Sequence, residues 1–545
     1  MIKNNKHLLF IFIYFFIFYI FLSIFRPIYN PDEVRYAQIA MEMLSTGQWI
    51  EPHFNGLLYF EKPILTYWFN SLFIGLGGLS NLSVRMTAIL SSALMSFAVW
   101  RFANTYLGKQ SAKYSLLVFV SSLYVVVQGS YSATDALFSA WVTLALVTLY
   151  PLLSNPSVKG YLTFGALCGL GFLTKGFIAL ALPFIVGIAA AIRSKAIGKM
   201  CTFGWFAILG ALTVTLPWSI AIAIKNPDYW HYFFWVENIQ RYFSEHNAQH
   251  PNPTWYFIPI VWAGLLPWSG FIVSTIRCSF KTKPSIRRPI EYLVFWSILI
   301  VIFFSLSNGK LSSYVFPAMP AFAMLLGHSI SRFARMKQLP KDGIWFNLVL
   351  SILGLSYLIY EIAFGNDLIR SGHDQISASL MLLSFVFWIV ITIFPFAPRT
   401  KIYALALSMT GLLMTASIAM PSAVAKDNIN TVLFTKITPY LNENTEVFST
   451  KDWVGAVNLT NKITHVNLLG NAGEFEYGLQ NSNDGVKHLS INSFDTLITS
   501  SNHPRVIVIL SNEEAEQFAL PKADVTYSDG NLTLLVYQPH PKIIT

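Results

Sequence analysis

Residues 203–224 have the sequence FGWFAILGALTVTLPWSIAIAI, which contains no charged side chain. An α-helix of about 20 apolar residues crosses the hydrocarbon core of a bilayer, which is about 30 Å thick. The stretch therefore predicts a transmembrane helix. Twelve similar stretches lie before residue 421, near 8–26, 83–100, 114–129, 134–151, 160–174, 177–192, 255–276, 290–306, 313–329, 344–362, 378–396 and 402–420.

The composition supports the same class of protein. The chain is 54% hydrophobic and only 12% charged, and it contains 44 Phe, more apolar surface than a soluble globular protein of this length uses. We predict a polytopic α-helical membrane protein with about thirteen transmembrane helices in residues 1–420. The first stretch follows Lys3 and Lys6 without a small-residue cleavage site, so we expect a retained helix and not a removed signal peptide.

Basic residues collect in every second loop between these stretches. By the positive-inside rule such loops face the cytoplasm, as does the N-terminus. An odd number of spans then places residues 421–545 outside. The net charge of +10 is thus explained by topology, and nucleic-acid binding is not indicated. The basic residues are Lys109, Lys113, Lys159, Arg193, Lys195, Lys199, Arg277, Lys281, Lys283, Arg287, Arg288, Arg332, Arg335, Lys337, Lys341, Arg399 and Lys401.

Cysteine and histidine give no pattern of metal ligands on the outer side. Cys168, Cys201 and Cys278 lie in or near predicted spans, so neither a disulfide framework nor a thiolate metal site is indicated. The histidines of the outer segment 225–254 have a spacing that matches no metal-binding pattern. The same segment contains an aromatic run that predicts a second surface helix with Arg241 as its polar residue.

The outer segment 27–82 predicts a short amphipathic helix on the membrane surface. Asn30-Pro31-Asp32-Glu33 predicts its start, with Asn as N-cap, Pro at the first position and acids in the first turn, and Gly47 predicts its end. Asp32, Arg35 and Tyr36 follow i, i+3, i+4 spacing and therefore share one face. Aromatic anchoring at the interface explains Trp49, Tyr67 and Trp68, but adjacent acids that face an anionic surface need a positive partner or a chemical role.

The other charged residues of the outer side each allow a structural and a functional interpretation. Asp135 could cap a helix, and Lys175 could snorkel between two apolar stretches. Glu61 could pair with Lys62 or bind a divalent metal. Lys310 could anchor at the interface or contact a phosphate, since lysine and arginine form charge-assisted hydrogen bonds with phosphate oxygens.

Residues 421–545 change to a polar character. Apolar and helical patterns alternate, and the run Val506–Leu510 is typical of a strand covered on both faces. We predict a small α/β domain on the outer side, with a final strand pair at 523–528 and 532–538. It contains no Gly-rich nucleotide loop.

Several sequence runs together resemble the bacterial lipid A aminoarabinose transferases, which are GT-C glycosyltransferases like the protein O-mannosyltransferases. The resemblance covers essentially the whole chain, and each run alone would be weak. The runs are Pro31–Ala37, Gly56–Pro63, Leu173–Phe177, His231–Glu237 with Gln240-Arg241, Gly309-Lys310, Gly473-Glu474 and Tyr477–Leu479.

This resemblance implies a polyprenyl-phosphate-dependent pentosyltransferase of the bacterial inner membrane, with its active site on the periplasmic face. The implied donor is 4-amino-4-deoxy-L-arabinose on undecaprenyl phosphate, and the implied acceptor is a phosphate of lipid A. Transfer would mask an anionic phosphate with an amine and weaken the binding of polymyxin-like peptides.

The resemblance also suggests roles for single residues. Asp32 lies beside the acceptor, and Asp135 completes the acidic side. Lys62 and Arg241 hold the leaving phosphate, where stabilisation of developing charge is usually the larger catalytic effect. The expected substrate-binding set is Glu33, Arg35, Tyr36, Tyr59, Glu61, Lys175, Arg241, Lys310, Tyr314 and Glu474.

Three alternatives stay open from the sequence. The first keeps the chemistry but uses another sugar, such as galactosamine or mannose, or a protein acceptor. The second is a lipid flippase or transporter, a class that often has internal repeats and midplane charges, neither of which is evident here. The third is a non-catalytic outer sensor that binds a ligand through the tail, which leaves 27–82 unexplained.

Overall fold

The protein divides into two units in the computed structural model. The first comprises Met1–Arg26, Arg85–Asn366 and Gly372–Met420, and the second comprises Pro27–Val84, Asp367–Ser371 and Pro421–Thr545. The outer segment that precedes residue 85 therefore shares a unit with the C-terminal tail. The structure describes residues 6–240, 251–280, 283–364, 372–418, 431–442, 444–463, 465–481, 485–500, 503–529 and 531–539.

The first unit is built from helices, and each of the thirteen predicted stretches falls on a helix or on a bent helical pair. Two short helical segments, Ser269–Phe271 and Ser312–Ala318, are of the 3-10 type, and Tyr232–Gln240 is a π-helix. The α-helices are Lys6–Phe25, Asn81–Tyr106, Lys109–Ser121, Leu123–Gly129, Thr134–Leu152, Val158–Lys175, Ile178–Ser194, Ile197–Lys225, Tyr229–His231, Phe257–Gly264, Ile272–Phe280, Pro284–Ser305, Met319–Arg335, Lys341–Phe364, Gly372–Ile393 and Pro398–Ile418.

Within the described residues, seven helices are long and apolar enough to cross a membrane, and nine spans result if two bent pairs each count as one. The polytopic helical class is thereby confirmed, while the number thirteen stays a prediction. The helix Ile197–Lys225 has large exposed apolar side chains, including Leu209, Leu216 and Ile220. Such a surface suits contact with lipid, because lipid tails are as apolar as these side chains.

Small residues allow two helices of the first unit to approach closely. A Cβ atom at Gly210 would lie 2.1 Å from the carbonyl oxygen of Leu162, and one at Gly165 would lie 1.8 Å from that of Ala207. Close backbone contact at small residues is a common way for membrane helices to associate. Here this close contact packs the helix Val158–Lys175 against the helix Ile197–Lys225. The first of these helices ends at Lys175, one of the predicted site residues.

Gly210→Ala is expected to lower the thermal unfolding midpoint of the purified protein in detergent, because the added methyl group must push the two backbones apart. Overpacking of this kind costs about 1–3 kcal/mol. Gly204→Ala is the matched control on the same helix, since a Cβ atom there meets nothing within 4 Å. Alanine is the better helix former, so the control should keep or raise the midpoint. Equal midpoints for both variants would contradict this packing.

The second unit contains an α/β sheet, as predicted for the tail. Its six strands follow the order β5-β4-β3-β6-β8-β7; β3 to β6 are parallel, while β8 runs antiparallel to both β6 and β7. The strands of this unit are β1 (His53–Phe54), β2 (Leu57–Leu58), β3 (Thr445–Ser449), β4 (Asn467–Leu469), β5 (His488–Leu489), β6 (Arg505–Ser511), β7 (Val525–Asp529) and β8 (Leu532–Tyr537).

The central strand β6 is apolar from Val506 to Leu510 because both of its faces are buried in the core of the sheet. Val506, Val508 and Leu510 of β6 are fully buried with Phe448 and Phe494. The predicted strand pair at the C-terminus is β7 and β8. The helices of the unit are Asp32–Thr46, Leu65–Gly77, Thr431–Thr435, Val454–Asn461, Glu476–Asn481, Ile491–Thr499 and Asn512–Phe518, with 3-10 turns at Thr438–Tyr440 and Gly473–Phe475.

The helix Asp32–Thr46 packs within this unit, against Leu65–Gly77 and Val454–Asn461. The sequence correctly predicts its acidic first turn and its end at Gly47, which has a φ of 71°. The predicted Asn30 cap is wrong, because Pro31 occupies the N-cap position. The Asn30 side chain instead donates a hydrogen bond to the carbonyl oxygen of Asp452 at 2.7 Å.

Candidate functional site

Arg35 is the centre of a charged cluster in the second unit. Its Nε and Nη2 lie 3.1 and 3.0 Å from Oε1 of Glu474, and its Nη1 lies 3.0 Å from Oδ1 of Asp32. The Arg35 and Glu474 side chains are 17% and 13% exposed, whereas that of Asp32 is 46% exposed. Arginine keeps its charge at any physiological pH. Asp32 is therefore an accessible carboxylate with a fixed cation behind it.

Tyr59 extends this cluster toward Lys62. The Tyr59 hydroxyl lies 3.0 Å from Oε2 of Glu474 and 3.3 Å from Oε2 of Glu61. Lys62 donates from Nζ to the backbone carbonyl of Glu61 at 2.8 Å, and its Nζ is 3.8 Å from the Glu61 carboxylate. The ion pair between Glu61 and Lys62 is thus present but long. Of the two roles open for Glu61, the structure displays the ion pair.

Local structure brings Glu474 to Arg35 across a large distance in sequence. Glu474 lies in the 3-10 turn that follows β4, and this turn begins at Gly473 with a φ of 52°. The Phe475 ring stacks on Phe54 at 4.9 Å between centroids. A Cβ atom at Gly478 would lie 2.7 Å from the carbonyl oxygen of Leu58, so the tail docks closely on β2. Ligands of open α/β sheets commonly bind at the carboxyl ends of strands, where Glu474 lies.

Burial raises the pKa of Glu474 to about 7, while the charge of Arg35 opposes the rise. The folded state then holds this proton more tightly than the unfolded chain does. As pH rises from about 4.5 to 7, the unfolded state loses its proton first, so the free energy of unfolding falls. Glu474→Gln should reduce this fall in thermal unfolding scans from about pH 4 to about pH 8, which cover the pKa of this carboxyl in both the unfolded and the folded state.

Glu42 is a second buried carboxyl group whose titration contributes to the pH dependence of stability. Burial raises its pKa to about 7 as well, so part of the pH dependence should survive in Glu474→Gln. Glu42 accepts the backbone N–H groups of Asn55 and Gly56 at 2.9 and 3.1 Å, in the turn between β1 and β2. A pH profile identical to that of the wild type would show that Glu474 is ionised in both states.

Two further predicted residues lie on the same helix as Asp32. The Glu33 side chain is fully buried and accepts the backbone N–H of Tyr29 at 3.0 Å, which closes the turn before the helix. The Tyr36 ring stacks on Tyr67 with 5.8 Å between centroids. Glu33 therefore supports the backbone at Asp32. Tyr36 forms an aromatic pair with Tyr67 and directly follows the cluster residue Arg35 on the helix.

A second cluster lies in the first unit. The Lys175 Nζ is 2.5 Å from Oδ1 of Asp135, and both side chains are 11% exposed. The same ammonium group lies 4.9 Å from the centre of the Tyr314 ring and 5.6 Å from that of Phe138. Asp135 stands in the first turn of Thr134–Leu152, as predicted. Its ion pair with Lys175 joins two residues 40 positions apart, for which the sequence gives no pairing signal.

Lys310 lies in another environment of the first unit. Its Nζ donates to the carbonyl oxygens of Asn252 and Ser307 at 2.8 and 2.5 Å, and the residue is 3% exposed. The Asn252 side chain in turn donates to the carbonyl of Lys310 at 3.2 Å. These bonds tie two loops together at Pro251 and Gly309.

The predicted phosphate contact Arg241 lies outside the described residues, as do His246 and His250. The helix before Arg241 is the π-helix Tyr232–Gln240, whose Phe234 and Trp235 are exposed. Over the described ranges, no group of three or more His, Cys, Asp or Glu side chains is arranged to hold a metal ion.

Sequence reasoning missed two parts of this region. The sequence predicts Tyr67 as an aromatic anchor at the membrane interface, but its side chain is fully buried against Tyr36. The second part is the turn that Glu42 holds, and its signal in the sequence is the pair Asn55-Gly56 between short apolar runs, which is typical of a tight hairpin turn. Asn55 and Gly56 both have positive φ angles.

Comparison with known proteins agrees with this arrangement. Residues 61–221 match a family described as dolichyl-phosphate-mannose-protein mannosyltransferase, and residues 427–536 match arabinosyl transferase ArnT, C-terminal domain. The crystal structure of ArnT from Cupriavidus metallidurans bound to undecaprenyl phosphate superposes with a TM-score of 0.80 at 21% identity, over 98% of both chains. This similarity shows the fold.

Two other relatives have a higher sequence identity to this chain than the Cupriavidus protein does. The undecaprenyl phosphate-alpha-4-amino-4-deoxy-L-arabinose arabinosyl transferase of Aeromonas hydrophila is 32% identical over 94% of this chain and 95% of its own. The protein of the same name from Edwardsiella ictaluri is 32% identical over 95% of this chain and 96% of its own.

The fold is that of a GT-C membrane protein. The two relatives are named arabinosyl transferases, so sequence identity places the chain among the glycosyltransferases. The expectation of an enzyme of this class is confirmed. The chain belongs to the family of undecaprenyl phosphate-4-amino-4-deoxy-L-arabinose arabinosyl transferases, to which sequence identity relates it over nearly its whole length.

Proposed function

We propose that this chain transfers 4-amino-4-deoxy-L-arabinose from undecaprenyl phosphate to a phosphate of lipid A, at the periplasmic face of the inner membrane. The single observation that carries this proposal is 32% identity over 94% of the chain to a transferase of that sugar from that lipid. Transfer adds an amine to an anionic headgroup, which lowers the attraction of cationic peptides such as polymyxin.

Asp32 is the proposed acceptor-side residue. Its carboxylate is partly exposed and is held by Arg35 at 3.0 Å, which keeps it oriented. A phosphate acceptor is already ionised near neutral pH and has little proton to give up. Asp32 therefore orients the acceptor or steadies the sugar ring or its amine, while Arg35 and Glu474 fix its position.

Lys62 is the proposed contact to the departing phosphate. The bond between the sugar and the donor phosphate breaks, and negative charge develops on the phosphate oxygens. Cations positioned for that charge stabilise the transition state more than the ground state. The 3.8 Å separation of Lys62 from the Glu61 carboxylate is long for an ion pair, so a phosphate can compete for the ammonium group. Arg241, Lys310 and Tyr314 are proposed as further contacts.

Asp135 and Lys175 are proposed as a second functional cluster, which lies within the first unit. Their short ion pair lies under the face of Tyr314, in surroundings of low exposure. A buried lysine held by one carboxylate keeps its place, and it can turn a remaining N–H toward an anionic group. Tyr36, Tyr59 and Glu33 complete the proposed set around the sugar.

The orientation of the chain is part of the proposal. Basic loops place the N-terminus in the cytoplasm, and the clusters and residues 421–545 then face the periplasm. In this arrangement residues 1–420 form the transmembrane transferase domain with the large outer loop 27–82, and residues 421–545 form a periplasmic α/β domain that contains Glu474.

Lipid A mass spectra test the proposal in cells that make the donor lipid. Expression of the wild-type chain in a strain without its own transferase should add the mass of aminoarabinose to lipid A. An added hexosamine would mean a different sugar with the same chemistry, and modified protein would mean a different acceptor. Unmodified lipid A and protein, together with donor lipid accumulating on the periplasmic side, would favour a flippase and contradict the proposal.

A further inference from the structure

The helix Leu65–Gly77 carries a row of buried polar groups close to the Arg35 cluster. Thr66, Tyr67 and Asn70 are 1%, 0% and 1% exposed. Residues at these spacings lie within about 100° of one another around a helix. The Thr66 hydroxyl, the Tyr67 hydroxyl and both the nitrogen and the oxygen of the Asn70 amide have no hydrogen-bond partner among the residues that the structure describes.

Other polar groups of the same helix are satisfied, which makes this row specific. The Trp68 Nε1 donates to the carbonyl of Trp49 at 2.8 Å, and the Ser71 hydroxyl donates to the carbonyl of Ala40 at 3.3 Å. A buried polar group that lacks a partner destabilises a protein by about 1–3 kcal/mol. On this helix the other polar side chains have hydrogen-bond partners, whereas these three neighbouring residues have none among the described residues. This pattern indicates a binding site for the polar groups of a ligand.

The row lies beside the proposed chemistry. The Tyr67 ring stacks on Tyr36, and the charges of Glu61, Arg35 and Glu474 act on its hydroxyl. Burial raises the pKa of Tyr67 well above its ordinary value, so the hydroxyl remains a hydrogen-bond donor. Tyr36, at 6% exposure, is the more exposed ring of the pair and covers Tyr67.

We propose that Thr66, Tyr67 and Asn70 form a subsite that binds hydroxyl or amine groups of a sugar ring, with Tyr67 as its main contact. This deepens the proposed function and rests on it. The Asn70 oxygen can only accept hydrogen bonds, so the ligand must bring a donor. An ionised phosphate has none, whereas sugar hydroxyls and amines donate. Entry of the ring requires Tyr36 to turn away from Tyr67.

Tyr67→Phe tests the subsite without changing the shape of the side chain. Loss of one hydrogen bond to a sugar should lower kcat/KM for the lipid-linked donor about ten- to hundredfold. The same change removes a buried hydroxyl that has no partner in the described chain, so the unfolding midpoint should stay or rise. Asn70→Leu should show the same combination of lower activity and undiminished stability.

Tyr161→Phe is the matched control. Tyr161 is 1% exposed, stacks on Phe203, and also has a hydroxyl without a partner among the described residues, but it lies near the basic loop at Lys159 in the first unit. Its kcat/KM should stay at the wild-type value. Wild-type kcat/KM in Tyr67→Phe would overturn the subsite and leave water as the partner of this row. An inactive wild-type protein would overturn the proposed function instead.

Discussion

Asp32→Asn is expected to slow transfer of the sugar to lipid A by about 10²- to 10³-fold, the usual effect of removing one preorganised electrostatic group from an active site. The substitution removes the only accessible carboxylate charge held by Arg35 in the described cluster. Arg35 keeps its contact with Glu474 at 3.0 Å, so the fold of the cluster should survive. The measurement is the initial rate of product formation by purified protein, together with its unfolding midpoint.

The control for this variant is Glu516→Gln, which removes an exposed carboxylate from the same unit and should keep the wild-type rate. The dependence on pH separates two roles for Asp32. If the acceptor is a phosphate, Asp32→Asn retains a small rate that changes little with pH. A hydroxyl acceptor on a protein would make Asp32 a general base, and the variant would then be inactive at every pH. A wild-type rate would contradict any role in the site.

Lys175→Met is expected to give the largest loss of stability, about 3–5 kcal/mol, because it leaves the Asp135 carboxylate without its cation at 11% exposure. The change also removes the ammonium group from the face of Tyr314. Thermal unfolding in detergent measures the effect. Lys522→Met, at an exposed position of the second unit, is the control and should leave the midpoint unchanged.

The double variant Asp135→Asn with Lys175→Met separates stability from function. Replacing both partners of a buried ion pair with neutral groups is often close to neutral for stability. The double variant should therefore regain much of the lost midpoint but not the transfer activity, if Lys175 serves an anionic substrate. Wild-type stability in the single variant would mean that the ion pair is absent in the protein in solution.

The hydrophobic pattern alone predicts most of this architecture. Membrane helices expose apolar side chains to lipid, whereas the α/β domain buries its apolar side chains away from water. Apolar stretches locate the membrane helices, and the run Val506–Leu510 locates the central strand β6. Pattern cannot place the short strand β5, which has only His488 and Leu489 and no periodicity to detect.

The site is predictable only where its contacts are local. The i, i+3 spacing of Asp32 and Arg35 predicts their shared face, and the structure joins them in an ion pair. The contact from Arg35 to Glu474 spans 439 positions, and the pair Asp135 and Lys175 spans 40. Such pairs arise from tertiary packing, so periodicity gives no signal for them. Family resemblance supplies the residues but not their partners.

Transfer of the sugar in a purified system is the decisive measurement of the proposed activity. The wild-type protein in detergent would be mixed with aminoarabinose-linked undecaprenyl phosphate and lipid A, and the lipid products would be measured by mass spectrometry. The expected products are lipid A that carries the added sugar and an equal amount of undecaprenyl phosphate, both formed about 10²- to 10³-fold more slowly with Asp32→Asn. Intact donor and unmodified lipid A, from folded protein that still protects cells against polymyxin, would contradict the proposed activity.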